Sequence, residues 1–370
     1  MSLNRSSLVP APLAQLPWRL LLTVIGIGGF GVIVLFSAAG GHTGPWAASH
    51  ALRFCVFLVM AIVISRLREA HWKLLAFPGY IGALLLLIGV EALGFVGGGS
   101  QRWIDLGVIS IQPSELMKLA IVLALARFYD MLPAGEIRGL TAIWPPLLLV
   151  AIPAGLVLIQ PDLGTTIAIV VSGLTVMFLA GLPLRLFVGG ALAVAAAAPL
   201  ADIFLLHDYQ RNRVLTFLNP ESDPLGTGYH ITQSKIAIGS GGLTGKGFLN
   251  GTQSHLAYLP EGHTDFVFAT MAEEWGLMGG VFLIVCFALL VNWGLRVGRN
   301  AKTNFARLTA SGLAITIFFY VAINLAMVMG LAPVVGIPLP MVSFGGSAMM
   351  TVMICIGILM SIDREARIRR

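Results

Sequence analysis

Charge is scarce in this chain. Asp, Glu, Lys and Arg together are 11% of its 370 residues, while hydrophobic residues are 57%, and the mean hydropathy is +0.89. A surface so poor in charge excludes an ordinary soluble globular domain. Cysteine is also rare. The three present, Cys55, Cys286 and Cys355, lie inside apolar runs, with neither the spacing of a metal site nor that of a disulfide framework, so they read as small packing residues.

What the chain has instead is apolar runs of membrane-spanning length. A hydrocarbon core of roughly 30 Å needs about 17–25 apolar helical residues, and the sequence offers about ten such stretches by that criterion. They run near Arg19–Ser37, His50–Ser65, Leu74–Val96, Ile111–Arg127, Thr141–Ile159, Leu163–Ala180, Leu184–Leu205, Met271–Leu295, Phe305–Gly330 and Met341–Ile362. The expected fold is an all-α integral membrane protein, a single polytopic domain over 1–370, with one large hydrophilic loop over 206–270 between the seventh and eighth helices. The first stretch follows Pro10, Pro12 and Pro17, with no small-residue cleavage site after it, so it is expected to be a retained span.

The net charge of +6 does not point to nucleic acid, because of where the basic residues fall. With the N-terminus inside, one set of connections holds Arg66, Arg68, Lys73, Arg127, Arg138, Arg185, Arg296, Arg299, Lys302 and Arg307 as well as the basic C-terminal tail. The other side holds few. That asymmetry is the positive-inside signature; both termini are expected in the cytoplasm and the 206–270 loop outside.

Polar residues in so apolar a chain need a reason. Glu115 and Lys118, three residues apart, share one face of the fourth span. A charge at the bilayer centre costs about 2.5–3.5 kcal/mol, so intramembrane ions pair or line a polar cavity; either a structural ion pair or a cavity role fits here. Gln112-Pro113-Ser114-Glu115 and Gln160-Pro161-Asp162-Leu163 both place proline and an acid at a helix start, which is good N-terminal chemistry. Arg102 beside Trp103, and Arg211, Arg213, Lys235 and Lys246 in the long loop, are basic residues on the disfavoured side. Anionic ligand groups would explain them, since arginine suits phosphate. The run Gly239–Gly247 resembles a phosphate loop but fails its pattern at Ser240 and Gly247. It could still offer backbone amides and Lys246 to a pyrophosphate, or be a plain turn.

The stretch Leu259-Pro260-Glu261-Gly262-His263-Thr264-Asp265-Phe266 ends the long loop. It puts Asp265 where aqueous loop meets bilayer, the place for a catalytic acid acting on a lipid-linked substrate. A carboxylate there could act as general base. His255 and His263 flank it without a recognisable metal spacing.

Together with Arg102-Trp103-Ile104, Gly336-Ile337-Pro338-Leu339-Pro340 and Ser343-Phe344-Gly345-Gly346-Ser347, these motifs resemble the SEDS family (shape, elongation, division and sporulation proteins), in family order from the third span to the last. Pro333-Val334-Val335-Gly336 and Met271-Ala272-Glu273-Glu274 look more like its elongation member than its division member. Phe344 stands where the family usually has Tyr. The resemblance implies a ten-span peptidoglycan glycosyltransferase of the bacterial cytoplasmic (inner) membrane, polymerising lipid II at the outer face for elongation and rod shape. It also implies a class B penicillin-binding protein as transpeptidase partner and the MreC/MreD elongation machinery. Asp265 matches the family's essential aspartate, and Trp103, Glu115, Lys118 and Asp162 match other positions in or near its central cavity. Arg102, Arg211, Arg213, Lys246, His263 and Ser343 complete the candidate substrate-binding set. A divalent cation, Mg or Mn, is expected to aid pyrophosphate departure, with Asp265 a possible ligand. The competing expectations are a lipid II flippase, for which intramembrane charges and broken spans also speak, and a non-catalytic scaffold for a transpeptidase.

Overall fold

The computed structural model describes residues 16–93, 95–97, 100–105, 110–137, 139–204, 226–256, 258–259 and 261–368, with isolated positions at 211, 216–217 and 219. Among the described residues, seven segments are long and apolar enough to cross a membrane, and ten long helices overlap the ten expected stretches. They are α1 (Trp18–Ala38), α2 (Ala47–Ile64), α3 (Glu69–Leu93), α4 (Pro113–Met131), α5 (Trp144–Ile159), α6 (Leu163–Leu179) and α7 (Leu184–Phe204), then α10 (Val267–Asn300), α11 (Asn304–Val328) and α12 (Gly346–Ile368). Between α7 and α10 lie α8 (Thr227–Gly241) and the single turn α9 (Thr252–His255). The connection from α3 to α4, read from sequence only as a loop, forms an antiparallel sheet of β1 (Phe95–Gly97), β2 (Ser100–Asp105) and β3 (Ser110–Ile111). Its register sets Trp103 opposite Phe95 and Ile104 opposite Ile111.

Burial sorts the helices into centre and periphery. Over its most apolar window α12 is 78% buried, whereas α2 and α3 are 28% buried. On α4, Glu115 and the unbroken run Met117–Ala126 are buried, so this helix is enclosed on all sides and can carry charge that a lipid-facing helix could not. Leu52, Val59, Leu74, Leu85 and Leu192 are among the apolar side chains left exposed, as expected of a surface solvated by lipid tails. Small residues let the central helices approach. A Cβ at Gly312 of α11 would meet Val122 at 2.8 Å and Val176 at 2.9 Å, and one at Gly31 of α1 would meet the Met341 carbonyl at 2.7 Å.

Several boundaries differ from the sequence reading, and three departures have clear local reasons. α3 begins at Glu69 because the charged residues before the apolar run have partners: Thr303 donates to Glu69 (2.6 Å) and Lys73 bridges Glu69 and Asp130 at 3.1 and 3.0 Å. α10 is interrupted at Gly276, whose φ of 60° and ψ of −156° are not helical. The last span begins at Gly346 and not at Met341, which has φ +62°; the residues 331–345 before it are non-helical. Within the 206–270 loop the described residues form α8 and α9. α8 packs on α10 and α11, and the Ser234 hydroxyl donates to the Val328 carbonyl at the end of α11 (2.7 Å). The three cysteines are free, with Cys355 buried and Cys55 exposed.

Candidate active site

One end of the bundle encloses a cavity of about 650 Å3. Its wall is assembled from β2, the N-terminal turns of α4 and α6, the Glu261–Asp265 turn, the 335–338 segment and the start of α12. Non-helical backbone is tolerated at such depth because it lines a cavity and is packed in protein.

Asp162 is the N-cap of α6. Its carboxylate accepts from the Thr165 amide and hydroxyl, both at 3.0 Å, and from the Gln112 side chain at 3.1 Å. Arg102 lies 3.5 Å away as an ion-pair partner and donates to the Gln160 and Pro161 carbonyls. The helix-start chemistry read in the sequence is therefore real, and Gln112 adds a bridge between two helix N-termini that the pattern did not reveal. Glu115 receives a hydrogen bond from Lys118 at 2.6 Å and another from the Tyr320 hydroxyl, while the Lys118 ammonium sits 4.4 Å from the Tyr320 ring centroid. Lys118 and Tyr320 are almost fully buried, and Glu115 reaches the cavity wall. The pair is an ion pair, and Glu115 lines the cavity.

Asp265 and Glu261 supply the remaining carboxylates of the wall. Glu261 accepts from the Thr264 hydroxyl. The turn that carries Asp265 is pinned from several sides. Asn324 of α11 donates to the Asp265 carbonyl at 2.9 Å and to the Ile337 carbonyl at 2.8 Å, and the Phe344 amide donates to the His263 carbonyl at 2.9 Å. Gly336, at φ +69°, brings its backbone so close that an added Cβ would lie 3.5 Å from Asp265 Oδ2. The His263 ring stacks on Trp46 at 4.1 Å, and burial lowers its pKa despite the opposing charge of Glu261. Arg53 of α2 lies over the Phe344 ring at 5.1 Å, an aromatic contact for which the ring without a hydroxyl suffices.

The cavity thus gathers Arg102, Trp103, Glu115, Asp162 and Asp265 from separate parts of the sequence. Other candidates lie elsewhere. Lys246 bonds Glu273 at 2.6 Å, and Glu273, fully buried, also accepts from the Thr252 and Gln253 amides. The amides of Gly245, Lys246 and Gly247 donate to the Gly241, Glu273 and Glu274 carbonyls. The glycine run is therefore the end of α8 followed by a packed turn, in which these three amides are already used within the chain. Ser343 is buried, its oxygen accepting from the Leu339 amide at 2.8 Å; it shapes the 339–343 turn, while Ser347 reaches the cavity. Arg211 is exposed, and Arg213 lies outside the described residues. Sequence reasoning missed Tyr320 and Asn324. A buried polar residue in an apolar span was the available signal, the same one that singled out Glu115.

Among the described residues, no group of three or more His, Cys, Asp and Glu side chains could hold a metal ion. An ion here would be held by wall carboxylates such as Glu261 or Asp265 together with ligand oxygens. Magnesium, which is commonly bound through one or two carboxylates plus substrate phosphates, fits such a donor set.

The protein resembles known ones along nearly its whole length. It is 46% identical over 354 residues to the peptidoglycan glycosyltransferase MrdB of Escherichia coli K12, covering 94% of this chain and 93% of that one. It is 37% identical over 332 residues to the probable peptidoglycan glycosyltransferase FtsW of Coxiella burnetii, covering 88% of each. Among solved structures, a chain from a peptidoglycan synthase complex that coordinates polymerization and crosslinking superposes with a TM-score of 0.82 at 32% identity, over 95% of this chain and 98% of that one. The rod shape determining protein RodA of Thermus thermophilus superposes with a TM-score of 0.71 at 28% identity, over 95% and 97%. The family model of the cell cycle proteins FtsW, RodA and SpoVE matches residues 17–368, and the chain belongs to that family, the SEDS proteins.

Proposed function

We infer that this chain is a peptidoglycan glycosyltransferase that polymerises lipid II into glycan strands for cell elongation. The observation that carries the reading is the position of Asp265, in the wall of a cavity that Arg102, Trp103, Glu115 and Asp162 also line. Near-identity of length and 46% identity to MrdB support the reaction class.

Joining lipid-linked sugars requires an acceptor hydroxyl to attack an anomeric carbon that bears a pyrophosphate. Asp265 is the general base: it accepts the proton of the acceptor 4-hydroxyl as the new C–O bond forms, and the bond to the pyrophosphate breaks with its electrons leaving on phosphate oxygen. Direct displacement inverts an α-linked donor into a β-linked polymer, so no protein nucleophile is needed. Mg2+ or Mn2+, held through Glu261 or Asp265 and the substrate's own oxygens, would neutralise charge on the departing pyrophosphate. Arg102 at the cavity wall supplies further positive charge to that group. The pinning of the Asp265 turn by Asn324 and Phe344 holds the base in place before substrate arrives, which is where positioning acts on the rate.

The protein is a multi-pass membrane protein. Its cavity faces the outside of the bacterial cytoplasmic membrane, and it works beside a transpeptidase, a class B penicillin-binding protein, within the MreC/MreD elongation machinery. The test is glycan polymerisation from purified lipid II with divalent cation and the cognate transpeptidase, comparing wild type with Asp265→Ala. Polymer from wild type and none from an equally folded variant is the expected result. Equal polymer from both would remove Asp265 as the base, and transport of lipid II across liposomes without polymer from either would favour a flippase.

A further inference from the structure

The end of the bundle opposite the cavity carries a second recess that the reaction does not use. It has two lobes that share Trp293, Arg296 and Arg367. The larger, about 590 Å3, runs between the start of α1 and the later part of α10, with Leu20, Leu289 and Leu290 on its walls. The smaller, about 350 Å3, lies between the ends of α10 and α12 and includes Asp363. Along α12, the roughly 20 residues from the cavity wall at Ser347 to Arg367 rise about 30 Å, the thickness of a hydrocarbon core. The recess is therefore at the other membrane interface.

Its chemistry is that of an amphiphile with a negative head. Arg19, Arg296 and Arg367 converge on it against a single acid, Asp363, which Arg367 already meets at 2.6 Å. All three arginines are exposed, while Leu20 and Leu290 beneath them are buried among the helices. Trp18 and Trp293 frame the boundary, as indoles do at a headgroup level. Positive groups above an apolar cleft between two helices match a phosphodiester headgroup with an acyl chain below it.

We propose that the recess between α1, α10 and α12 binds an anionic phospholipid of the leaflet opposite the cavity, its phosphate held by Arg19, Arg296 and Arg367 and one acyl chain lying between α1 and α10. The experiment is native mass spectrometry of the full-length protein released from nanodiscs of phosphatidylglycerol, of cardiolipin, or of phosphatidylcholine, paired with its melting temperature in each. The proposal expects retention of phosphatidylglycerol or cardiolipin over phosphatidylcholine, with a higher melting temperature in the anionic lipid. Removing charge by Arg296→Gln should weaken retention about fivefold, and Arg19→Gln with Arg296→Gln about 25-fold, at roughly 1 kcal/mol per basic residue. Arg296→Lys should keep most of it, and Arg185→Gln, an exposed site at the start of α7 outside the recess, should change nothing. Equal retention of the neutral lipid would overturn the proposal, as would an unchanged lipid ratio in a folded double variant. So would crosslinking from Trp293 that captures a second copy, or residues 1–15 of the same chain, in place of lipid.

Discussion

A lysine and a glutamate one turn apart on an enclosed helix have few neighbours able to satisfy them, and in this protein Tyr320 completes the set. Removing one member of such a buried pair leaves an uncompensated charge, which destabilises by about 3–5 kcal/mol. Lys118→Met is thus expected to lower the thermal midpoint sharply, and Glu115→Gln with Lys118→Met to restore most of it. Because Glu115 also reaches the cavity, the rescued double variant separates two roles: restored folding without polymerisation would assign the pair to substrate. His263 makes a different kind of statement. Burial lowers its pKa from 6.5, so the fold favours the neutral ring stacked on Trp46. The unfolded chain then binds more protons below that value. Stability from this site is complete above pH 6.5 and is lost as pH falls through the lowered folded value. Melting followed from pH 7.5 to 5.5, about a unit either side of the reference histidine value, should drop more in wild type than in His263→Gln; parallel curves would show that the ring carries no linkage.

Among the described residues, apolar length located the helices of the bundle, because lipid demands it, but it could not find where charge is tolerated or where a helix must break. Glu69 and Lys73 extend α3 past its apolar run because Thr303 and Asp130 lie across from them, and such partners are distant in sequence. The interruption at Gly276 was equally hidden. Its φ and ψ lie in a region open essentially to glycine, and its backbone abuts the 242–247 turn: an added Cβ would lie 2.4 Å from the Gly245 amide nitrogen. That contact docks the Lys246–Glu273 pair and with it the residues leading to the Asp265 turn. Gly276→Ala should therefore cost about 1–3 kcal/mol from strain alone and expose the 242–256 segment to protease. Gly280→Ala, whose Cβ would meet only the Phe268 ring at 3.5 Å, should be near neutral. Similar cleavage of the two variants would mean that the break is not what seats the loop.

At the scale of the molecule, the family motifs pointed to Glu115, Asp162 and Asp265 from the chain alone, but not to Glu261, the fourth acid of the cavity wall. The partners that hold them were not legible. Asn324, Tyr320 and Arg53 act across the bundle, and only the packed helices bring them to Asp265, Glu115 and Phe344. Orientation in the membrane rests on a statistical bias of basic residues, so it calls for a direct measurement. The 24 residues of α10 after its break at Gly276 rise about 36 Å at 1.5 Å each, more than a hydrocarbon core, so the break and the helix end must emerge on opposite sides. Tyr258, half exposed near the cavity end, and Asn300, exposed at the far end, report on those sides. In a background with Cys55, Cys286 and Cys355 replaced, Tyr258→Cys should react with a membrane-impermeant maleimide in intact cells, and Asn300→Cys only after permeabilisation. The reverse pattern would put the cavity in the cytoplasm, where a lipid-linked precursor is made but glycan cannot be laid down, and the polymerase reading would fall with it.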